Sequence, residues 1–407
     1  MQTTTHKLPT GERQNLNIGY MRLSDSAPLI IAQELGLFAK YGLDVTLCRE
    51  VSWANIRDKL IAGNFDACQM LAPMPLVTTL GAAGIRAPIV TGLVLSLNGN
   101  GITLSRPLWE KMLNQSDMPL QANQPLASAR ALKKLLDKQP SNQTITLATV
   151  HSFSTHTQLL RMCLEAGGID PDRDVRVIVL PPEQMVDSLA QGVIDGFCAG
   201  EPWNSIAVEY GVGVLATTGF HVWNNAPEKV LGVMEEWHTR HPATHLRLRL
   251  ALMEACQWLA DMGNREATVQ MLTRRDYLDL PTNYLRPSLT GNLVYDRGCA
   301  TEHHPNFHVF ASYNAGFPWR SQAEFLLHHC EPLLGKVFDR DKIVSITQQC
   351  FRTDLYREAA RLLGYPTPDQ DHKSEGSHAE PYWFNDQIKL GSDLMVSPQA
   401  LQKNRDN

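Results

Sequence analysis

Gly42-Leu43-Asp44-Val45-Thr46-Leu47 opens a unit that runs on to a helix-patterned stretch ending Leu60-Ile61-Ala62-Gly63-Asn64-Phe65-Asp66-Ala67. The same plan returns between Gly168 and Cys198. Gly168-Ile169-Asp170 is followed by Asp174-Val175-Arg176-Val177-Ile178-Val179-Leu180, and the second helix-patterned stretch ends Leu189-Ala190-Gln191-Gly192-Val193-Ile194-Asp195-Gly196. Leu60, Gly63 and Asp66 recur at one constant offset as Leu189, Gly192 and Asp195. In each copy a helix stopped by Gly leads to a β-branched strand, a second helix, a second Gly, and an apolar strand entered through Asp. A β-branched run, an amphipathic helix and another apolar run form a parallel strand-helix-strand unit. Two such units in one chain predict an α/β protein of two lobes, with a ligand cleft between them. The competing reading is a duplicated unit inside one large α/β enzyme.

Working outward, strands are expected at Leu16–Tyr20, Ala67–Leu71, Pro88–Leu97 and Thr144–Val150. Ser52 is placed to cap a helix over Trp53–Ala62, and Ser152 or Ser154 to cap one running to Glu165. Asn98-Gly99-Asn100-Gly101 reads as a turn or a crossing between lobes, and Gly213–Thr218 as the return crossing. The expected division is a flexible tail over 1–14, a first lobe of 15–100 plus 231–390, a second lobe of 101–230, and a tail over 391–407. Two crossings of this kind permit closure around a ligand.

The chain has 407 residues, enough for two or three cores. A net charge of −5 gives no overall attraction to nucleic acid or anionic membrane. Basic residues form no stripe interleaved with aromatics, so direct nucleic-acid binding is not expected. No apolar run is long enough to span a membrane. The eight cysteines stand singly, without a CxxC pair, as expected of reduced thiols. Residues 1–14 are polar throughout, with no apolar targeting segment, which leads to an expectation of a cytoplasmic protein. No P-loop, dinucleotide fingerprint or nucleophile elbow occurs, and no cofactor is expected. His303, His304, His308, His328 and His329 lack the spacing of a metal site, so no metal is expected either.

The stretch Ala32-Gln33-Glu34-Leu35-Gly36-Leu37-Phe38 through Gly42-Leu43-Asp44-Val45 resembles the start of type II periplasmic binding proteins. Ser52-Trp53, Met74-Pro75, Leu180-Pro181-Pro182-Glu183-Gln184-Met185, Phe197-Cys198-Ala199-Gly200-Glu201-Pro202-Trp203 and Pro227-Glu228-Lys229 sharpen the likeness. So does Asp354-Leu355-Tyr356-Arg357 downstream. Together they resemble the nitrate-binding NrtA and bicarbonate-binding CmpA family across roughly residues 14 to 390. The resemblance implies an α/β type II periplasmic-binding-protein-like fold and a binding function rather than catalysis. With no export signal seen, it points to the cytoplasmic branch of that family, the nitrate/nitrite sensors of the NasS type. Such a sensor implies a partner, a NasT-like RNA-binding antiterminator, held without ligand and released when nitrate or nitrite binds. The alternative is a substrate-binding protein of an ABC transporter for nitrate/nitrite or bicarbonate. An enzyme related to thiamine-pyrimidine synthesis is the more distant possibility on this fold.

The resemblance also implies a site. Trp53, Asn100, His156 and Lys229 align with the family's ligand contacts, Asn100 standing where the relatives carry Gln. Nitrate offers three acceptor oxygens and no donor, so a dry pocket for it needs donors and a compensating positive charge. Trp53 would donate its indole N–H, Asn100 its amide, and neutral His156 one ring N–H at a helix N-terminus. Lys229 would supply the charge and favour nitrate or nitrite over a calcium-assisted bicarbonate. His151 is expected near the site without touching the ligand.

Overall fold

A computed structural model of the chain describes residues 8–82, 84–138 and 143–396. The repeat is the skeleton of both lobes. In the first, β1 (Asn15–Met21) lies parallel between β2 (Asp44–Glu50) and β3 (Ala67–Leu71). After β4 (Ile89–Val90) and β5 (Val94–Asn98) the chain crosses into β6 (Asn100–Ser105) of the second sheet. There β7 (Thr146–Thr149) lies parallel between β8 (Arg176–Val179) and β9 (Gly196–Gly200), and β10 (Gly213–Thr218) closes the sheet. The chain returns in β11 (Pro227–Met234), antiparallel between β3 and β5. The strand orders β3-β1-β2 and β9-β7-β8 are the same, and each is flanked by one antiparallel strand that has just crossed: β11 in the first lobe, β6 in the second.

The recurring residues have matching jobs. Gly63 and Gly192 take φ values of 76° and 70°, the left-handed conformation that ends a helix without a Cβ clash. Leu60 and Leu189 are buried under their sheets. The Asp66 carboxylate accepts from the Asn17 amide at 2.9 Å, and the Asp66 amide donates to the Asn17 carbonyl. Asp195 and Thr146 repeat that exchange, at 2.8 and 2.7 Å. Each Asp therefore pins the start of the central strand to the start of its neighbour, satisfying backbone groups that would otherwise lack a partner at the sheet edge.

Several expectations are corrected. The apolar run 88–97 is two strands, because Gly92 is pressed against Leu355 and Arg249, and Thr91 leaves the sheet to donate to the Cys350 carbonyl. Gly213–Thr218 is a strand paired with β6; the return crossing is 219–226. The expected boundary at 230/231 falls inside β11, which belongs to the first sheet from Pro227 onward. Asn100, assigned to the first lobe, pairs with Gly200 in the second sheet. The described part of the expected N-terminal tail, 8–14, is fastened down. Glu12 accepts from the Ala243 and Thr244 amides at 3.0 and 2.8 Å, where the helix Pro242–Ala260 leaves its first donors free. Of the expected tail 391–407, residues 391–396 pack back on the return crossing, with the Val396 amide donating to the Val222 carbonyl at 2.7 Å; the remainder lies outside the described residues.

Asp66 also accepts from Trp237 Nε1 at 3.0 Å and faces Arg13 at 2.7 Å, whereas among the described residues the Asp195 carboxylate accepts from the Thr146 amide alone. Asp195→Ala is expected to cost about 1–2 kcal/mol, and Asp66→Ala more, because more donors lose their acceptor. Chemical denaturation of the two variants beside the parent measures both.

Candidate anion site at the lobe junction

The loops at the carboxyl ends of β1, β2 and β7 meet the two crossing strands, and all four expected residues are brought together there. Trp53 is the first residue of the helix Trp53–Ile61, capped by Ser52, whose hydroxyl accepts from the Asn55 amide at 3.2 Å. His156 is the second residue of the helix Thr155–Ala166, where Ser154 rather than Ser152 is the cap, accepting from Thr157 at 3.1 Å. Asn100 opens β6, directly after Asn98 and Gly99, which make the crossing at φ 59° and 82°. It is a strand residue, not a turn residue. Lys229 lies at the start of β11.

All four are buried: Asn100, His156 and Lys229 are 0% exposed and Trp53 is 1%. The junction is therefore closed to solvent at these residues. Several polar atoms here have no hydrogen-bond partner among the described residues: Trp53 Nε1, both ring nitrogens of His156 and Asn100 Oδ1. Buried polar groups are nearly always paired, so a convergence of unpaired ones marks a place for a polar guest. The His151 ring, by contrast, accepts from the Phe153 amide at 3.1 Å and stays outside the cluster.

Lys229 does not offer the free charge expected of it. Its Nζ lies 2.8 Å from Asp25 Oδ2 and 2.7 Å from Glu228 Oε1, and 5.3 Å from the centre of the Trp53 ring. Asp25 and Glu228 are both 0% exposed. Gln69 donates to Asp25 Oδ1 at 2.7 Å, and Asn100 donates to Glu228 Oε2. His156 Nδ1 lies 3.2 Å from Glu228 Oε1 without the alignment of a hydrogen bond. Burial lowers the basicity of Lys229, but the two carboxylates outweigh it and the ammonium is held above its ordinary range. Burial, then the nearby Lys229 charge, hold His156 far below the usual histidine range, so its ring is neutral and carries one N–H that is free to donate. Burial pushes the Glu228 carboxyl up to about 7 against the pull of Lys229.

Sequence reasoning gave Asp25 and Glu228 no role. At the constant offset of the repeat Asp25 stands opposite Ser154, the cap of the helix that carries His156; extending the repeat upstream by one strand finds the position. Glu228 was hidden by strand alternation, which puts neighbours on opposite faces. The pairing of β11 with β5 slips at Lys229, and this bulge lets both side chains reach the junction.

Of the late histidines, His308 sits against Gly99 at the first crossing, His304 packs on Phe220, and His303 bonds Asn292. An open cavity of about 330 Å³, lined in part by Met253, Phe310, Tyr356 and Trp383, shares no residue with the cluster.

Two lobes joined by two crossings, with a buried polar cluster between them, are the periplasmic-binding-protein fold. Residues 10–273 match the NMT1-like family. The nitrate import ATP-binding protein NrtC of Synechocystis sp. is 39% identical over 367 residues, 89% of this chain and 52% of that protein. The nitrate/nitrite binding protein NrtA of Synechococcus elongatus is 32% identical over 382 residues, 92% of this chain and 83% of that protein. The crystal structure of the periplasmic nitrate-binding protein NrtA from Synechocystis PCC 6803 superposes with a TM-score of 0.82 at 29% identity, covering 98% of this chain and 99% of that one. The chain belongs to the NMT1-like family and, within it, to the group of NrtA- and CmpA-like proteins. It spans about half the length of the ATP-binding relatives and most of the length of the NrtA proteins.

Lys229→Met strands two buried carboxylates without their cation, a change that typically costs about 3–5 kcal/mol. Glu228, already pushed up to about 7 by burial, loses the pull of Lys229 and favours protonation in the folded state further, so stability falls as pH rises through its titration. The loss is expected in full at pH 8 and in part regained at pH 5, read from denaturant midpoints at the two pH values.

Proposed function

We propose that this chain binds nitrate or nitrite in the cleft and works as a cytoplasmic sensor of the NasS type. Without ligand it holds a NasT-like RNA-binding antiterminator, and anion binding releases it. The observation that carries the ligand reading is the convergence of the unpaired Trp53 Nε1 and the unpaired His156 ring beside the Lys229 ammonium, at the junction of two lobes; the Asn100 amide, expected to donate to the ligand, donates to Glu228 instead and leaves only the acceptor Oδ1 unpaired. Trp53 Nε1 and a neutral His156 ring donate to oxygens that only accept. The charge of Lys229 is shared with Asp25 and Glu228, so donors rather than a bare cation select the ligand. NrtA proteins of this family are named for nitrate and nitrite binding, which agrees with that set of groups.

Two observations support the cytoplasmic reading. All eight cysteines are free thiols, and six are buried in the lobes, a state that a reducing compartment preserves. The ATP-binding relatives are 37–39% identical to this chain, against 30–32% for the NrtA relatives. The former are named for ATP binding, which agrees with a protein that works where ATP is found. Closure moves surfaces of both lobes relative to each other, so a partner spanning them favours one state. Linkage then requires ligand and partner to change each other's affinity by the same factor.

A second reading has a specific observation in its favour. Bicarbonate carries an O–H, and the buried Glu228 and Asp25 carboxylates are acceptors for it. In that reading, or with nitrate itself, the chain serves as the substrate-binding component of an ABC transporter.

Isothermal titration of the purified protein is expected to show nitrate or nitrite binding, and His156→Ala to weaken it by about 1–3 kcal/mol. Binding of bicarbonate alone, with or without calcium, contradicts the nitrate reading. Affinity purification from extract is expected to recover an RNA-binding antiterminator that elutes on adding nitrate or nitrite. A set of retained proteins that does not respond to either anion leaves the transporter reading standing.

A further inference from the structure

With Glu228 ionised, the sealed cluster is already anionic before any ligand enters. It contains one ammonium, Lys229, and two carboxylates, Asp25 and Glu228, all 0% exposed, with His156 neutral beside them. The other side chains that touch these groups are uncharged: Asn100 on Glu228, Gln69 on Asp25, and the Trp53 ring over Lys229. A nitrate ion added to this set raises the net negative charge from one to two in a space closed to solvent. Like charges a few ångströms apart in such a place do not stay ionised together; one takes a proton.

We propose that capture of nitrate or nitrite is coupled to uptake of one proton by the Glu228–His156 pair, so that anion affinity falls as pH rises. The proposal rests on the reading that the cleft binds an oxoanion. The proton comes from bulk solvent and settles on Glu228 Oε1 or on the ring nitrogen 3.2 Å from it. The anion is unchanged, no covalent bond within it is made or broken, and the site returns to the net charge it had when empty. A protonated Glu228 is also a new donor, which suits an acceptor-only ligand.

The neighbours of Glu228 allow this. Lys229 on its own strand favours the carboxylate, Asp25 from the turn after β1 opposes it, and Asn100 on β6 donates to Oε2 alone. From β9, Cys198 faces it as a thiol that burial and then Glu228 hold well above the ordinary range. His308 is held far below the usual histidine range by burial, then Arg265 and Lys229, and contributes no charge. Burial already brings the Glu228 carboxyl up to about 7 with Lys229 in place. A second anion raises it further, so the coupling window lies between the free and bound values and includes pH 7 to 8. A different buried carboxyl, Glu201, is also pushed up to about 7 by burial; it accepts from the Ser205 amide at 3.1 Å, and serves as the control.

The test is titration of nitrate into the full chain at pH 8, in buffers that differ in ionisation enthalpy, repeated for affinity at pH 7 and 8. Close to one proton taken up per anion at pH 8, with binding roughly fivefold weaker at pH 8 than at pH 7, is the expected result for a carboxyl that starts at about 7. Identical heats in every buffer and an affinity indifferent to pH overturn the proposal while leaving the oxoanion reading intact. Absence of binding at any pH overturns both. Glu228→Gln is expected to lose proton uptake and pH dependence, whereas Glu201→Gln retains them; the reverse pattern assigns the proton to Glu201 and overturns the proposal. If Glu228→Gln fails to fold, the buffer series on the parent protein still decides.

Discussion

An ammonium held between two carboxylates, with no access to water, is the constraint on which the rest depends. Lys229 is 2.8 Å from Asp25 and 2.7 Å from Glu228, and the three belong to different parts of the chain only in part: Asp25 follows the first strand, while its partners open the strand that returns from the second lobe. Burying such a group is costly unless every charge and lone pair finds a partner. Gln69 and Asn100 supply those partners from two further strands. The cluster therefore ties the return crossing to the first sheet and to the entry of β6, the two places where lobe motion must be absorbed. A ligand that enters it acts on both crossings at once.

The symmetry of the lobes explains why the site lies there. Each lobe offers the carboxyl ends of its parallel strands to the junction, and helices begin there with their free N–H groups facing inward. In the first lobe that edge carries Asp25 and Trp53; in the second it carries His156. The crossing strands then add Asn100 on one side and Glu228 with Lys229 on the other. The Arg22–Glu183 ion pair at 3.0 Å, and the Ser24 amide donating to the Glu201 carbonyl at 2.8 Å, hold the two edges together.

Much of this was legible in the chain. The spacing Leu60, Gly63, Asp66 and its copy mark the parallel units because the sheet start, helix stop and core contact each demand one residue type. Ser52 and Ser154 announce the helices that carry Trp53 and His156. What the chain concealed depends on packing between distant segments. Gly92 breaks an apolar run only because Leu355 and Arg249 press on it. Glu228 reaches the cluster only through a bulge, which alternation does not reveal. The charge of Lys229 looked free because its partner Asp25 lies some two hundred residues away in sequence, and pairing at that range leaves no local pattern. The described ends of the chain, 8–14 and 391–396, were expected to be tails yet are fastened, because exposed helix amides and the return crossing supply hydrogen-bond partners for them.

The central claim is that these buried groups hold an oxoanion. A crystal structure of the protein grown with nitrate tests it most directly. The account predicts a planar anion at the junction, with oxygens within hydrogen-bond distance of Trp53 Nε1 and a His156 ring nitrogen, and with the Lys229 ammonium beside it. An unchanged Lys229–Asp25–Glu228 cluster, with nitrate absent from the junction or bound elsewhere on the molecule, would contradict it.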